Sequence, residues 1–435
     1  MKKFIVTAWM AVFSMVAFAQ SSTKSPYSQY GLGVLADQSN GFNRGMNGLA
    51  YGLREHNQVN FKNPASYSAI DSLSFIFDAG VSLQLSNFEE NGLRKNAKTA
   101  NFEYATAAFR IAKHFGASFG IMPFSNIGYD FSNTERVNEF PSTTTASTTY
   151  TNTFHGEGGL HQVYIGAGWE PIRGISLGVN FSYLWGEYTR SAINSYSDAY
   201  VNTISKIYAG AVSSYKVDFG IQLSRMITKT DRLTLGAVYN MGHKFGADPE
   251  CLLISSKSQY AQNDTTKFTV KDGLAIPDMF GGGISWEHNN QFAIGIDYQW
   301  QRWSKIDFPI YTITNDQPSY KLVSNQFSDN HKLTFGGEYC KNERARSFLG
   351  RLHYRAGVSY ATPYLKINGE DGPREVSVSA GFGIPIINGY NNRSILNISG
   401  QWVNQKASGF INENSFRINI CFTFNERWFA KFKVE

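Results

Sequence analysis

The sequence predicts a transmembrane β-barrel of the outer-membrane type, with about fourteen antiparallel strands. Three observations predict it: apolar and polar residues alternate along many segments, charged residues are scarce, and short and long connections alternate between the segments. Charged residues make up 17% of the chain, whereas soluble domains carry about 25%. Since only alternate residues of a barrel strand face lipid, such a protein needs no long apolar run.

The chain begins with the pattern of a secretory signal peptide. Lys2 and Lys3 precede an apolar stretch, and Ala17-Phe18-Ala19 forms an A-x-A cleavage site. We therefore predict that residues 1–19 are a cleaved signal peptide and that the mature chain reaches the outer membrane of a Gram-negative bacterium. A retained helical anchor is the alternative, but the stretch is too short and wrongly flanked for one.

The alternation is clearest in residues 175–183, where apolar residues alternate with Ser, Gly and Asn. Residues 215–224 and 292–301 show the same period of two. Aromatic residues such as Trp185 and Trp300 close many apolar rows, as in the girdles of membrane barrels. A soluble β-sandwich also alternates, but its solvent face would not mix glycine with charged side chains in this way.

Counting such segments gives fourteen strands in the predicted barrel domain, residues 72–435. The predicted spans are 72–86, 101–112, 114–131, 157–170, 174–191, 208–228, 231–245, 278–288, 291–307, 330–341, 351–364, 373–386, 394–406 and 413–425. Every second connection is short and those between are mostly long, which indicates periplasmic turns and external loops. An even strand number places both termini in the periplasm.

Residues 20–71 precede the first strand and are too rich in glycine for a stable helix. They also carry large apolar side chains, such as Tyr27, Phe42 and Phe61, which a free tail would leave exposed. We predict that this segment is a hatch folded inside the barrel lumen. A flexible periplasmic tail is the alternative.

Pro123 interrupts the third predicted strand. Proline cannot donate to a β-ladder and a closed barrel has no edge, so Pro123 must break the pairing locally. The residues alone leave open whether the break is a curve in the strand or a hole in the wall.

In the predicted external loop 192–207, Tyr196, Tyr200 and Ile204 lie four residues apart, which predicts a short amphipathic helix. Its apolar face could bind a hydrophobic ligand or pack against a neighbouring loop.

No catalytic pattern is present. Two stretches match the G-x-S-x-G hydrolase motif, residues 116–120 and 174–178, but that motif works on a strand-to-helix turn and both copies lie on predicted strands. His155 and His161 lack the H-E-x-x-H context of a zinc site. The chain has three cysteines, an odd number that does not indicate a disulfide framework. We expect neither an enzyme nor a cofactor or metal site.

Several short motifs point to one family of barrels. Asn63-Pro64-Ala65 ends the predicted hatch, and Met122-Pro123-Phe124 lies in the third strand. Further motifs are Ala275-Ile276-Pro277-Asp278, Asp297-Tyr298, Trp303-Ser304 and the segment from Arg355 to Tyr360. Together they resemble the long-chain fatty-acid transporter family (FadL/TodX, OMPP1), with Asn63-Pro64-Ala65 as its hatch signature. Ser125 stands where that family often has glycine.

The resemblance implies passive transport of a hydrophobic molecule, such as a long-chain fatty acid or another lipid-like solute. The solute would enter a pocket above the hatch and leave into outer-membrane lipid through a lateral opening at Pro123, Phe124 and Ser125. A carboxylate in that pocket would favour a cation. The ligand-binding candidates are Arg44, Arg54, Lys62, Tyr196, Tyr200 and Ile204. The cations could instead anchor the hatch to acids of the lumen such as Asp218, Asp297 and Glu338.

Three other functions stay open. A general porin would need a water-filled bore, which the hatch argues against. A barrel partner in protein secretion, such as the shuttle of the type 9 secretion system, would share the fold and would have a secretion-system partner. An outer-membrane lipase or protease would need a catalytic cluster. A nucleic-acid partner is not expected, because the net charge of +6 is small and scattered.

Overall fold

The computed structural model describes residues 23–136, 148–198, 200–257, 262–315, 317–343, 345–386 and 394–427. Fourteen antiparallel strands form a closed barrel, which confirms the predicted fold class and strand number. The predicted signal peptide lies outside the described residues.

The barrel strands are numbered in chain order. They are β1 (Ser74–Glu90), β2 (Leu93–Ala112), β3 (Phe115–Arg136), β4 (Thr149–Ile172), β5 (Ile175–Tyr196), β6 (Thr203–Met226), β7 (Asp231–Asn240), β8 (Met279–His288), β9 (Phe292–Gln301), β10 (Asn330–Tyr339), β11 (His353–Ala361), β12 (Arg374–Ile386), β13 (Ser394–Lys406) and β14 (Asn412–Arg427). Pairing of β1 with β14 along their length closes the ring.

The two faces of the wall differ as a membrane barrel requires. Apolar side chains on the outward rows are exposed, for example Leu83, Phe181 and Phe219, whereas polar side chains on the inward rows are buried, for example Ser176 and Asn180. A soluble β-sandwich would show the reverse distribution. The outward apolar rows therefore form the surface that faces lipid.

Shorter elements accompany the fourteen barrel strands. Additional strands are Val34–Leu35, His243–Lys244 with Ala275–Ile276, Glu250–Lys257 with Gln262–Thr269, Phe308–Thr314 with Gln317–Val323, and Lys366–Ile367 with Glu370–Asp371. The helices are α1 (Gly41–Gly45) and α2 (Phe348–Arg351), with 3₁₀ turns at Pro26–Gln29, Pro64–Ala69 and Trp303–Lys305. No helix in the described part of the chain is long and apolar enough to cross a membrane.

The prediction of a helix in the loop 192–207 is wrong. β5 continues to Tyr196, β6 begins at Thr203, and Ile204 pairs with both Asn194 and Ser255. A spacing of four residues is also a multiple of two, so Tyr196, Tyr200 and Ile204 fit one face of a strand as well as one face of a helix. Backbone pairing on both sides of β6 makes this segment a strand and not a helix.

Several strands extend further than their hydrophobic alternation predicts. β2 begins at Leu93, β4 at Thr149 and β6 at Thr203, each at least five residues before its predicted start. These extensions are largely polar and lie at the end of the barrel that carries the long loops. They are held by backbone pairing, which a hydrophobic period of two does not reveal.

The segment that precedes the barrel, residues 23–71, is called the N-terminal segment. Most of its side chains are buried, including Phe42, Tyr51 and Tyr67. Its hydrogen bonds reach inward-facing residues of β1, β2, β5, β6, β8, β9, β11, β12 and β14. Partners on so many strands surround the segment, which is the arrangement that a hatch would have.

The cysteines Cys251, Cys340 and Cys421 are free and buried, and they belong to different parts of the fold. Cys251 lies in the strand Glu250–Lys257, Cys340 follows β10, and Cys421 lies in β14. We expect titration of the unfolded, unreduced protein to find three thiols, because a disulfide requires Cα atoms within about 7 Å. The reduced protein is the control, and a titre of one thiol before reduction would contradict this arrangement.

Candidate functional site

The wall of the barrel loses its pairing between β2 and β3. These strands pair from Ala112↔Phe115 only as far as Ala105↔Ile121. Beyond that point residues 93–104 of β2 stay paired with β1, and β3 stays paired with β4. We call the interval between residues 93–104 and 122–136 the β2–β3 gap. It lies in the half of the barrel nearest the long loops.

Pro123 lies at the lower end of the gap, two residues beyond the last pair of β2 and β3. Its register with β4 also shifts there, because Pro123 pairs with His161 and Ser125 with Leu160, so that Phe124 is left out as a bulge. A proline offers no backbone N–H to a neighbouring strand, which accounts for a break at this position.

The distortion extends from β3 into the next two strands. Gly159 of β4 pairs with Asn126, and Gly186 of β5 pairs with Leu160. Gly159 has a φ of +145° and Gly186 a φ of +149°. A Cβ on Gly159 would lie 2.4 Å from the carbonyl oxygen of Ser125, so only glycine fits. The bend at the gap therefore depends on glycines as well as on Pro123.

The N-terminal segment supplies a partner for β3 inside the gap. Its strand Val34–Leu35 pairs antiparallel with Asn126 and Ser125. The backbone N–H of Ala36 donates to the carbonyl oxygen of Phe124 at 3.0 Å. The segment thus takes the place that β2 leaves.

The same part of the N-terminal segment makes one further contact with the edge of β3. The hydroxyl of Ser28 donates to the carbonyl oxygen of Gly128 at 3.2 Å and accepts from the N–H of Gly128 at 3.1 Å. Polar backbone groups of β3 that face the gap are therefore satisfied by the N-terminal segment from Phe124 to Gly128.

The motif Asn63-Pro64-Ala65 rests on three glycines of neighbouring strands. Gly168 of β4, Gly178 of β5 and Gly220 of β6 are adjacent in register. A Cβ on Gly168 or Gly178 would lie 2.5 or 2.3 Å from backbone atoms of Pro64, and one on Gly220 would lie 2.2 Å from Oδ1 of Asn63. These glycines form a flat surface on which the motif packs.

Polar side chains fix the motif and the chain around it. Asn63 Nδ2 donates to the carbonyl oxygen of Tyr51 at 2.8 Å, and Asn63 Oδ1 accepts from the N–H of Ala65 at 3.2 Å. Asp297 Oδ2 accepts from the backbone N–H groups of Ala50 and Tyr51 at 2.6 and 2.9 Å. Asp297 therefore holds the backbone of the segment, whereas the nearest ion-pair partners of the candidate cations among the described residues are other acids.

The candidate cations are each paired with an acid. Arg44 Nη2 lies 2.9 Å from Glu103 Oε2, and both side chains are buried. Arg54 Nη2 lies 3.2 Å from Glu170 Oε2. These partners differ from the acids named in the sequence analysis, since Asp218 pairs with Lys216 and Glu338 with Arg355 and His353.

The third candidate cation, Lys62, pairs with an acid of its own segment. Its Nζ lies 3.4 Å from Asp37 Oδ1 and donates to the carbonyl oxygen of Gly48 at 3.2 Å. Burial alone would raise the pKa of Asp37, but Lys62 and Arg44 lower that pKa well below its usual range. The carboxylate is thus charged and stabilises both cations.

A cavity of about 340 Å³ adjoins the gap. Pro123 and Phe124 line it from the wall, and Lys62 is the one predicted ligand-binding residue among its lining residues in the described part of the chain. Much of the remaining lining is polar or charged: Asp37, Gln84, Glu103, Lys216, Asp218, Gln299, Lys332, Glu375, Gln401, Gln405, Glu413 and Arg417. Acids and bases nearly balance, so the cavity has no strong preference for an anion.

Apolar side chains pack together near the long loops, and some of them, such as Phe124 and Trp303, also line the cavity. Leu32 of the N-terminal segment and Phe124 of β3 belong to one cluster of apolar side chains. Its other buried members are Ile127, Tyr129, Leu160, Leu184, Tyr188, Val212, Phe245, Ala247, Leu274, Ile276, Trp303, Phe327 and Leu365. A sequence signal existed, because inward rows that are polar elsewhere turn apolar at Ile127 and Leu184.

The predicted loop residues lie away from this cavity. Tyr196 and Tyr200 are exposed at the end of the β5–β6 hairpin, Tyr200 to 82%, and Ile204 lies in β6. Tyr196 packs against Tyr150 with ring centroids 6.2 Å apart. Within the described residues, no group of three or more His, Cys, Asp or Glu side chains is arranged to hold a metal ion.

Comparison with known proteins places the chain in a family. The BamG family model matches residues 1–435. The chain belongs to the BamG family. Among curated proteins, no sequence matches this BamG-family chain.

Solved structures with the same fold include toluene transporters and a FadL homologue by their titles. The Pseudomonas putida toluene transporter TodX is 13% identical, with a TM-score of 0.60, and the match covers 92% of this chain and 100% of that one. The Ralstonia pickettii toluene transporter TbuX is 14% identical, with a TM-score of 0.60 and coverage of 88% and 97%. A Pseudomonas aeruginosa FadL homologue is 12% identical, with a TM-score of 0.58 and coverage of 89% and 98%. The chain therefore has a FadL-like fold.

The buried Arg44–Glu103 pair predicts a loss of stability on substitution. Arg44→Met would leave Glu103 buried without its cation, which costs about 3 kcal/mol of the free energy of unfolding. We expect the folded form of the variant to convert to the unfolded form at a lower temperature in a gel-mobility assay. Arg94→Met is the matched control, because Arg94 and Glu89 form an exposed pair. Equal stability of the two variants would contradict the role of Arg44.

Glu55 predicts a pH dependence of the N-terminal segment. Burial, followed by Glu338 and Glu287, raises the pKa of Glu55 to about 7, against the opposing effect of His56 and His353. Because the pKa is higher in the folded state, the stability due to Glu55 is present at low pH and is lost as pH rises through about 7.

We therefore expect hydrogen exchange of residues 50–62 to report a larger opening free energy at pH 5.5 than at pH 8.5, values about one and a half units either side of the Glu55 pKa. Glu55→Gln should reduce this difference, since glutamine does not titrate. Glu89→Gln, a change in an exposed pair, should keep it. A difference that persists unchanged in Glu55→Gln would show that another group is responsible.

Proposed function

We propose that the chain is a passive outer-membrane channel, and not an enzyme, that releases a hydrophobic or amphipathic molecule sideways through the β2–β3 gap. One observation carries the proposal. Wall pairing ends at Ala105↔Ile121, and the short strand Val34–Leu35 replaces it beside a cavity. On this proposal Pro123, Phe124 and Ser125 border the opening and the N-terminal segment is the hatch.

The wall would open where the strand Val34–Leu35 pairs with β3, because this pairing is short. It consists of two residues, whereas β4 pairs with β5 from Tyr150 to Ile172. A hydrogen bond contributes about 1 kcal/mol net, so this joint costs far less to separate than any pair of wall strands. Displacing Leu35 and its neighbours from the apolar cluster adds to that cost.

The residues that line the cavity indicate which chemical class of solute would fit there. Since polar and charged groups line it together with apolar ones such as Phe61, Phe124 and Trp303, an amphipathic molecule with a polar head fits better than a plain hydrocarbon. A fatty acid would place its carboxylate near Lys62, where it would compete with Asp37 for the ammonium group. The titles of structures that share the fold name toluene and monoaromatic hydrocarbons, which supports hydrophobic solutes as a class.

The compartment follows from the same proposal. The mature chain, after cleavage behind Ala19, would lie in the outer membrane of a Gram-negative bacterium with both termini in the periplasm. The loop end of the barrel, with the extended strands β3 to β6, would then face the outside.

A reversible crosslink tests the opening. Val34→Cys with Asn126→Cys joins two residues that pair across the gap, so oxidation should hold the strand in place. We expect oxidised protein to transport labelled oleate into proteoliposomes about tenfold more slowly than reduced protein, as closing the exit requires. Pro123→Val, which restores a backbone N–H, should also slow transport.

Thr151→Cys with Ser195→Cys is the matched control. These residues pair between β4 and β5, which stay joined in the proposed mechanism, so oxidation should leave the rate unchanged. Normal transport through the oxidised Val34–Asn126 variant would show that solute does not leave at this gap.

A second function is favoured by different observations. Apolar side chains pack into a cluster near the loops, much of the cavity lining is polar, and the N-terminal segment is bonded to many strands. These features suit a barrel partner in protein secretion or another multi-protein assembly better than an open route for solutes. Such a barrel would copurify with its partners after mild solubilisation, and oxidation of the Val34–Asn126 variant would leave that complex and its activity intact.

A further inference from the structure

The upper part of the β2–β3 gap has free strand edges above the apolar band. Residues 129–136 of β3 pair with β4 on one side, and on the other side no described residue pairs with their backbone. Residues 93–104 of β2 pair likewise with β1 alone among the described residues. Residues 132–136 and 93–96 are exposed. Unpaired edges of this length usually attract another strand, and proteins normally cover or blunt them.

The edge of β3 accepts an added strand in this very structure. Val34–Leu35 comes from a distant part of the chain and pairs antiparallel with Ser125 and Asn126. The free residues 129–136 continue the same edge away from the membrane. Since backbone pairing does not depend on side-chain identity, what holds Val34–Leu35 applies to the continuation as well.

We propose that residues 129–136 of β3 bind an extended segment of a partner protein, which adds to the barrel wall as an antiparallel strand. Eight residues of strand span about 26 Å, enough for specific recognition. The facing edge of β2 carries Lys95 and Lys98, besides Arg94, which pairs with Glu89, so the added segment carries an acid on that side. Water satisfies single donors and acceptors of such an exposed edge, whereas an extended peptide pairs with the whole row of them at once.

The proposal does not require solute transport. The Val34–Asn126 crosslink joins residues 34 and 126 and leaves residues 129–136 free. A loss of transport in that variant therefore does not contradict strand addition. Strand addition also remains possible if no solute leaves through the gap.

A photo-crosslinking amino acid at Ser132 tests the proposal in living cells of the source organism. Ser132 is exposed on the free edge of β3. Thr189 is the matched control position, because it is exposed on β5 but paired on both sides, with Glu157 and Ala209. We expect about tenfold more adduct at Ser132 than at Thr189, with the adduct mapping by mass spectrometry to one short segment of one protein.

A synthetic peptide of that mapped segment is then added to the purified full-length chain. Hydrogen exchange of residues 129–136 should slow, while exchange of the paired residues of β5 stays unchanged. Equal adducts at the two positions, adducts to lipopolysaccharide or to residues 93–104 of the same chain, or a peptide that leaves exchange unchanged would each overturn the proposal.

Discussion

Backbone hydrogen bonding within the membrane is the constraint on which this structure depends. Lipid cannot satisfy an N–H or C=O group, so a sheet that spans the membrane must close and leave no edge. The chain meets this demand around the ring except between β2 and β3, where Pro123 removes a donor and pairing ends. The strand Val34–Leu35 then satisfies the edge that the wall leaves open. The N-terminal segment is thus a structural part of the wall as well as a filling of the lumen.

Close packing of backbone against backbone holds the N-terminal segment in place. Three glycines of adjacent strands give Asn63-Pro64-Ala65 a flat surface, and Gly357 similarly lets Met46 approach β11. Buried acids then fix the segment through charge and backbone bonds, as Glu103 does with Arg44 and Asp297 with Ala50 and Tyr51. Motifs on widely separated strands, such as those at Asp297 and Gly357, thus contact the same segment.

The sequence predicts those features of the candidate site that follow from one residue's own effect on the backbone. It does not predict features that depend on which side chains become neighbours in the fold. Pro123 could be identified because its missing N–H is a property of the residue itself. The pairing of Arg44 with Glu103, and the polar lining around Lys62, could not, because those partners are on strands far apart in the chain. The helix predicted from Tyr196 and Ile204 was wrong because a four-residue spacing fits both a helix and a strand.

The sequence by itself determined the closed barrel, since alternation with a period of two and the parity of short and long connections require neighbouring strands to pair around a ring. It also determined that the third strand must break at Pro123. Only the tertiary structure decided what occupies that break, because the strand Val34–Leu35 carries no local signal and gains its partner from a position ninety residues away. Local periodicity reports which face a residue occupies, whereas contacts between distant segments depend on the shape of the whole lumen.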